Sequence, residues 1–112
     1  PEEAAHRLLA QGVSCVAVTL GERGALVAVA GGMQAVPAFS SDSVDTTGAG
    51  DGFWGGFLHR MLTLDKRPAA LTVADAADCA RWGNATAALC ITRRGGIPAM
   101  PTLGDVQALL LR

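Results

Sequence analysis

Apolar residues change their spacing several times along this chain, and each change predicts a new element. Ala4, Leu8 and Leu9 recur at helical spacing between Glu2 and Gln11, and Gly12 follows as a stop. Cys15-Val-Ala-Val-Thr19 is then a short apolar run of strand type, so a helix feeding a buried strand is expected. Gly21-Glu-Arg-Gly24 punctuates before Ala25 to Ala30, and Gly31-Gly32 punctuates again before Met33 to Ala38. Two hairpin-connected strands would read this way, and the antiparallel pair is expected at a sheet edge.

Phe39 to Thr47 is polar and irregular. Beyond it Phe53, Phe57 and Met61 form one i, i+4 row with Trp54, Leu58 and Leu62 beside it, which predicts a helix from Ala49 to Leu64 buried on a broad face. On that spacing Trp54 and Phe57 belong to the core. Lys66-Arg-Pro68 breaks the helix, and Thr72 or Asp75 is placed to cap the next, an Ala-rich run from Val73 to Ile91 whose small side chains permit close packing. Thr92 to Thr102, with Gly95, Gly96, Pro98 and Pro101, reads as a loop, and Gly104 to Leu111 as a short amphipathic helix. There is no internal repeat. This order suits the C-terminal part of a layered α/β protein, because three strands are too few to cover these helices, and Glu2 to Gln11 reads as a helix entered midway through a longer fold.

Composition narrows the function. A chain of 112 residues, 50% hydrophobic, is long enough for one domain and too short for two. Its formal net charge of -1, without any Lys or Arg run, argues against a nucleic-acid partner. No apolar run approaches membrane-spanning length and no signal-peptide pattern opens the chain, so no membrane partner is expected. Cys15, Cys79 and Cys90 are odd in number, far apart and set among apolar neighbours, which fits reduced core thiols in a cytoplasmic protein better than a disulfide framework or a zinc site. His6 and His59 stand alone and read as surface or helix-end residues.

One stretch carries chemistry. In Gly48-Ala-Gly50 three small residues stand where a loop turns into a helix, so backbone N–H groups can converge on an anion. Asp51 follows in the first turn, where a carboxylate would compete with an anionic ligand unless it faced a neutral hydroxyl beside that anion. Phosphoryl transfer uses this arrangement: the carboxylate takes the proton of the attacking alcohol while the amides stabilise charge on the transferred group. The plain structural alternative is an acid complementing the helix dipole after a tight glycine turn. Two look-alikes fail. Gly50-Asp-Gly52-Phe-Trp-Gly55 has the letters of GxGxxG without a buried strand before it, and no Lys-Ser or Lys-Thr closes the glycine run as in a P-loop.

Asp45-Thr-Thr-Gly-Ala-Gly-Asp51 resembles the DTxGAGD signature of the ribokinase or PfkB family of sugar kinases at every specified position. Val18-Thr-Leu-Gly-Glu-Arg-Gly24 is similar to that family's TLGxxG nucleotide turn, and Thr92-Arg-Arg-Gly-Gly-Ile-Pro-Ala-Met-Pro101 to its late loop. The resemblance covers nearly the whole chain and implies the C-terminal part of a ribokinase-like three-layer α/β/α fold, the nucleotide-binding and catalytic portion over residues 1–112. It implies that Asp51 deprotonates a sugar hydroxyl and that Gly48, Ala49 and Gly50 present amides to the phosphate of ATP, with magnesium assisting. Thr19, Gly21 and Gly24 would line the nucleotide, although a plain hairpin turn would use the same residues. Asn84 falls where the family's second long helix approaches adenine; a solvated helix position is the alternative.

Many family members also hold a monovalent cation, potassium for example, and Asp45, Thr47, Cys90, Arg93 and Gly95 match those positions. Ala99 stands where ribokinases carry a serine, which turns the reading away from ribose, and Arg94-Gly-Gly-Ile-Pro-Ala-Met-Pro-Thr102 is similar to the GAIPALPT stretch of fructokinases. The reading implied is a fructokinase, converting fructose to fructose 6-phosphate. Its alternatives are a kinase of ribose, 2-keto-3-deoxygluconate or a nucleoside, and a non-catalytic nucleotide-binding module. The family's sugar-binding residues and its β-strand lid, which family homodimers often use, precede the positions matched here, so the isolated chain is expected to be inactive.

Overall fold

The computed structural model describes residues 1–39, 49–91 and 103–111. Helix α1 (Glu2–Ala10) leads into β1 (Cys15–Thr19), a 3-10 turn at Gly21–Arg23 leads into β2 (Ala25–Val29), and a tight turn leads into β3 (Gly32–Val36). Then come α2 (Ala49–Leu64), a 3-10 turn at Pro68–Ala70, α3 (Val73–Ile91) and α4 (Leu103–Leu110). The strands lie in the order β1-β2-β3, each neighbour antiparallel, with Cys15 opposite Val29 and Val29 opposite Gly32.

Alternation along the strands assigns the two faces of this sheet. Val16 and Val18 of β1 pack with Ala28, Ala5 and Leu9 under α1. Cys15 and Ala17 turn the other way and join Val27, Val29, Phe53, Phe57, Ala76 and Cys79 under α2 and α3. The described residues therefore form three layers: α1, the sheet, and the α2–α3 pair. Burial corrects one expectation. The strand buried along its whole length is β2, whereas β1 is mostly half-buried because it pairs on one side only among the described residues.

The long helices run as their spacing predicts, but α2 is narrower in its buried face. Phe53 and Phe57 are buried, while Trp54 is 43% exposed, Leu58 46% and Leu62 76%. Trp54 is thus not a core residue here. Its ring packs edge-to-face with those of Phe53 and Phe57, at 5.3 and 5.4 Å between centroids. Across the α2–α3 seam the Arg60 Nε donates to Asp78 Oδ2 at 2.7 Å, and the guanidinium lies 5.4 Å from the centre of the Trp82 ring.

Both capping candidates act together at the start of α3. The Asp75 amide donates to Thr72 Oγ1 and the Thr72 amide to Asp75 Oδ2, each at 3.1 Å, the reciprocal arrangement of a capping box. Lys66 Nζ donates to the same carboxylate oxygen at 2.7 Å. These bonds hold the Asp75 carboxyl below its usual range, the lysine bond contributing most.

Candidate functional site

Two groups of candidate residues can be located, and α3 connects them. The first is the start of α2. The helix opens at Ala49, and Gly50 and Asp51 are exposed in its first turn, so the carboxylate stands beside amides that have no intrahelical partner. Gly52 faces inward: a Cβ built on it would lie 2.7 Å from the Cys90 Sγ and 3.6 Å from the Ala87 Cα. The first turn of α2 therefore rests directly on the last turn of α3, the N-terminal end of one dipole beside the C-terminal end of the other.

The second group gathers around the end of β3. Thr19, the last residue of β1, is exposed, and Gly21 opens the following turn with φ 60°. The Leu20 amide donates to the Gly24 carbonyl at 2.7 Å and closes that turn. Gly24 has φ 89°, and any side chain there would collide with the Val36 carbonyl oxygen and the Ala38 amide. From the other side Asn84 Nδ2 donates to the Val36 and Pro37 carbonyls, both at 3.0 Å. Gly24 and Asn84, 60 positions apart, thus hold one stretch of backbone between them.

That contact removes one of the two sequence readings of Asn84. The residue is 5% exposed, so it is no solvated helix position, and both amide hydrogens are engaged by backbone. A ligand approaching Asn84 meets a side chain already oriented by β3. Sequence reasoning also missed Gly52 as a seam residue. The available signal was a glycine inside a helix, which is unfavourable by about 1 kcal/mol against alanine and so calls for a packing reason.

The remaining candidates divide simply. Cys90 is fully buried in the seam. Asp45, Thr47, Gly48, Arg93, Gly95 and Ala99, and with them most of the proposed cation set, lie outside the described residues, as do Phe39 to Thr47 beyond its first residue and the loop from Thr92 to Thr102. Among the described residues there is no group of three His, Cys, Asp or Glu side chains that could hold a metal ion. Nor, among them, is any helix long and apolar enough to cross a membrane. His6 and His59 are exposed, and none of the three cysteines is in a disulfide.

The chain and its described fold have counterparts in known proteins. The sequence profile described as "pfkB family carbohydrate kinase" matches residues 2–103. Probable fructokinase-4 of Arabidopsis thaliana is 38% identical over 109 residues, which is 97% of this chain and 33% of that protein. The ribokinase structure from Thermotoga maritima superposes with a TM-score of 0.84 at 34% identity, covering 99% of this chain and 34% of the other. The fructokinase from Vibrio cholerae O395, solved with fructose, ADP and a calcium ion, gives a TM-score of 0.80 at 35% identity over 97% of this chain and 34% of its own. The chain spans about a third of the length of the relatives it matches.

Proposed function

Because the chain belongs to the pfkB family of carbohydrate kinases, with the ribokinase-like fold of its structural relatives, we propose that it supplies the nucleotide-binding and catalytic part of an enzyme that phosphorylates a sugar, fructose before others. The observation that carries this reading is the exposed Asp51 in the first turn of α2, directly after Gly48-Ala-Gly50. The sugar hydroxyl gives its proton to the Asp51 carboxylate, its oxygen bonds to the γ-phosphorus of ATP, and the bond from that phosphorus to ADP breaks. Backbone amides of residues 48–50 stabilise the charge on the moving phosphoryl oxygens. Thr19 and Gly21, exposed at the end of β1, lie along the nucleotide, while Gly24 and Asn84, buried against the β3 backbone, support that side of the site from behind.

Magnesium enters with the phosphates of ATP and neutralises their charge, an ion held largely by substrate and water rather than by a protein cage. Asp51 is the one carboxylate in the first turn of α2 available to it. A monovalent cation on Asp45, Thr47, Cys90, Arg93 and Gly95 would sit by the C-terminal end of α3. Free thiols accord with a cytoplasmic setting. Support for fructose comes from the Arabidopsis and Vibrio relatives, and the Thermotoga ribokinase keeps ribose as the competing substrate.

The test is sugar-dependent ADP release from ATP and magnesium by a polypeptide in which this chain replaces the matched third of the Arabidopsis protein. Fructose, ribose, 2-keto-3-deoxygluconate and a nucleoside are compared. Turnover on fructose, falling by roughly 10²-fold or more in Asp51→Asn, is expected. Turnover on ribose alone would move the substrate, and full activity in the variant would remove Asp51 from the role of base.

A further inference from the structure

One face of α3 grips the chain where it leaves β3. Arg81, Asn84, Ala85 and Ala88 follow the i, i+3, i+4, i+7 spacing of such a face. Asn84 donates to the Val36 and Pro37 carbonyls, and one turn earlier the Arg81 guanidinium lies 5.6 Å from the centre of the Phe39 ring, within cation–π range. Phe39, half-buried, packs on the cluster of Ala85, Ala88, Val106 and Leu109.

Arg81 has a second partner. Its Nη2 donates at 2.9 Å to the carbonyl of Leu110, the last residue of α4, 29 positions away. Carbonyls of a last helical turn have no intrahelical donor, and a cation there also suits the helix dipole. One exposed side chain thus ties the end of α4 to the exit of β3. Helix α4 depends on its seat: it has eight residues, and a helix that short is marginal in water by itself. Its buried side chains, Val106 and Leu109, meet alanines of α3, whose methyl groups make a shallow seat. Docking and helix formation in α4 are therefore one two-state step.

The same stretch of β3 backs the nucleotide side of the site. Gly24 ends the turn that Gly21 opens, and it is buried so closely against the Val36 carbonyl oxygen and the Ala38 amide that no Cβ fits. The Leu20 amide closes that turn on the Gly24 carbonyl. Contact is thus continuous from Leu110 through Arg81, Phe39 and the backbone of residues 36–38 to Gly24. Asn84 fixes Val36 and Pro37, Arg81 extends the grip to Phe39, and the guanidinium has both of its partners while α4 is docked.

We infer that Arg81 is a positioning residue for the nucleotide and that α4 is the strap it fastens. Docking of α4 keeps the exit of β3 on α3, and with it the turn from Thr19 to Gly24 in the shape that receives the nucleotide. Nucleotide binding and α4 docking then favour each other, and the coupling is reciprocal. This rests on the nucleotide reading of Thr19 and Gly21, and neither on the sugar nor on Asp51.

The test uses the 112-residue chain, with ADP and magnesium as the probe, at a temperature where protected β2 amides show that the parent and its variants stay folded. Leu109→Asp puts a charge into the α4 seat and releases the strap, and Arg81→Gln, at an exposed position, cuts the tie without opening the core. Without ligand, both variants should speed amide exchange at Leu20, read by NMR, about fivefold or more. With ligand, ADP should slow exchange of the α4 amides in the parent by the factor by which Leu109→Asp raises the ADP dissociation constant, because linkage makes the two equal. Arg81→Lys, which keeps a charge and a donor without the flat guanidinium, should fall between parent and Arg81→Gln. Should Leu109→Asp not fold, Arg81→Gln carries both readings. A merely structural role would lower the melting temperatures of the variants and leave ADP affinity and Leu20 exchange unchanged, and that result overturns the inference. A parent chain that binds no ADP overturns its nucleotide half together with the reading it rests on, while Leu20 exchange still decides the coupling of α4 to the turn, so the two failures are told apart.

Discussion

Gly52 and Cys90 are in contact across the α2–α3 seam so closely that a Cβ on the glycine would stand 2.7 Å from the thiol sulfur. Removing that sulfur leaves only ordinary contacts, the Cys90 Cβ and the Ala87 Cα both at 3.6 Å. Gly52→Ala alone is expected to cost about 1–3 kcal/mol through overpacking. Gly52→Ala with Cys90→Ala should recover part of that loss, a favourable coupling readable in a denaturant double-mutant cycle. Additive losses would show that the helices shift freely at this point.

Asn84 donates two hydrogen bonds into the backbone of β3, and its replacement should depend on charge as well as on size. Asn84→Ala leaves the Val36 and Pro37 carbonyls without those donors and is expected to cost about 1–3 kcal/mol. Asn84→Asp places an ionised carboxylate against two carbonyl oxygens, which favours the protonated acid in the folded state. Its stability should therefore rise as pH falls towards 4, where a protonated carboxyl can donate. An Asp variant as stable as the parent at pH 7 would contradict the assigned bonds.

The capping box at α3 responds in the opposite sense. Lys66 and the Thr72 amide hold the Asp75 carboxyl below its ordinary value of 3.8. The contribution is present above that value and is lost as pH falls through the lower folded one. Thr72→Ala should cost about 1 kcal/mol at neutral pH, and Asp75→Asn should flatten the acid limb of the stability curve below pH 4, measured by urea midpoints.

Cys79 governs an alkaline limb. Burial first, and the neighbouring Asp78 second, push its thiol from 9.0 up to about 11. The unfolded chain ionises at lower pH than the folded one, so stability is retained below 9 and declines between 9 and 11. Cys79→Ala, though smaller, should show a shallower decline over that interval. In the parent protein, thiol reagents at pH 7 should react with Cys79 only after unfolding.

Local periodicity made most of the fold legible. The spans of α2, α3 and β1 follow from the spacing of Phe53, Phe57 and Met61, from the Ala-rich run, and from the short apolar run Cys15 to Val18 between glycines. Burial was less legible, because it depends on what lies opposite. Trp54, Leu58 and Leu62 share an apolar arc with Phe57, and only the three-dimensional arrangement shows that the described elements leave them open. Asn84 was harder still. Its partners lie 48 and 47 positions away, and no spacing near Asn84 announces them. The position of Asp51 in the first turn of α2 was legible because its setting is local: the glycines that precede it and the helix that follows are consecutive in sequence.

One helix carries both ends of the candidate site. Cys90, against the start of α2, follows Asn84, against the end of β3, by six positions of α3, and helical rise places them roughly 9 Å apart along the axis. The interval between the acid turn and the β3 grip is therefore a property of a rigid rod rather than of two independent loops. A molecule that touches both is gauged by α3, and inserting or deleting a single residue between positions 84 and 90 would change that gauge and turn one end by about 100° against the other.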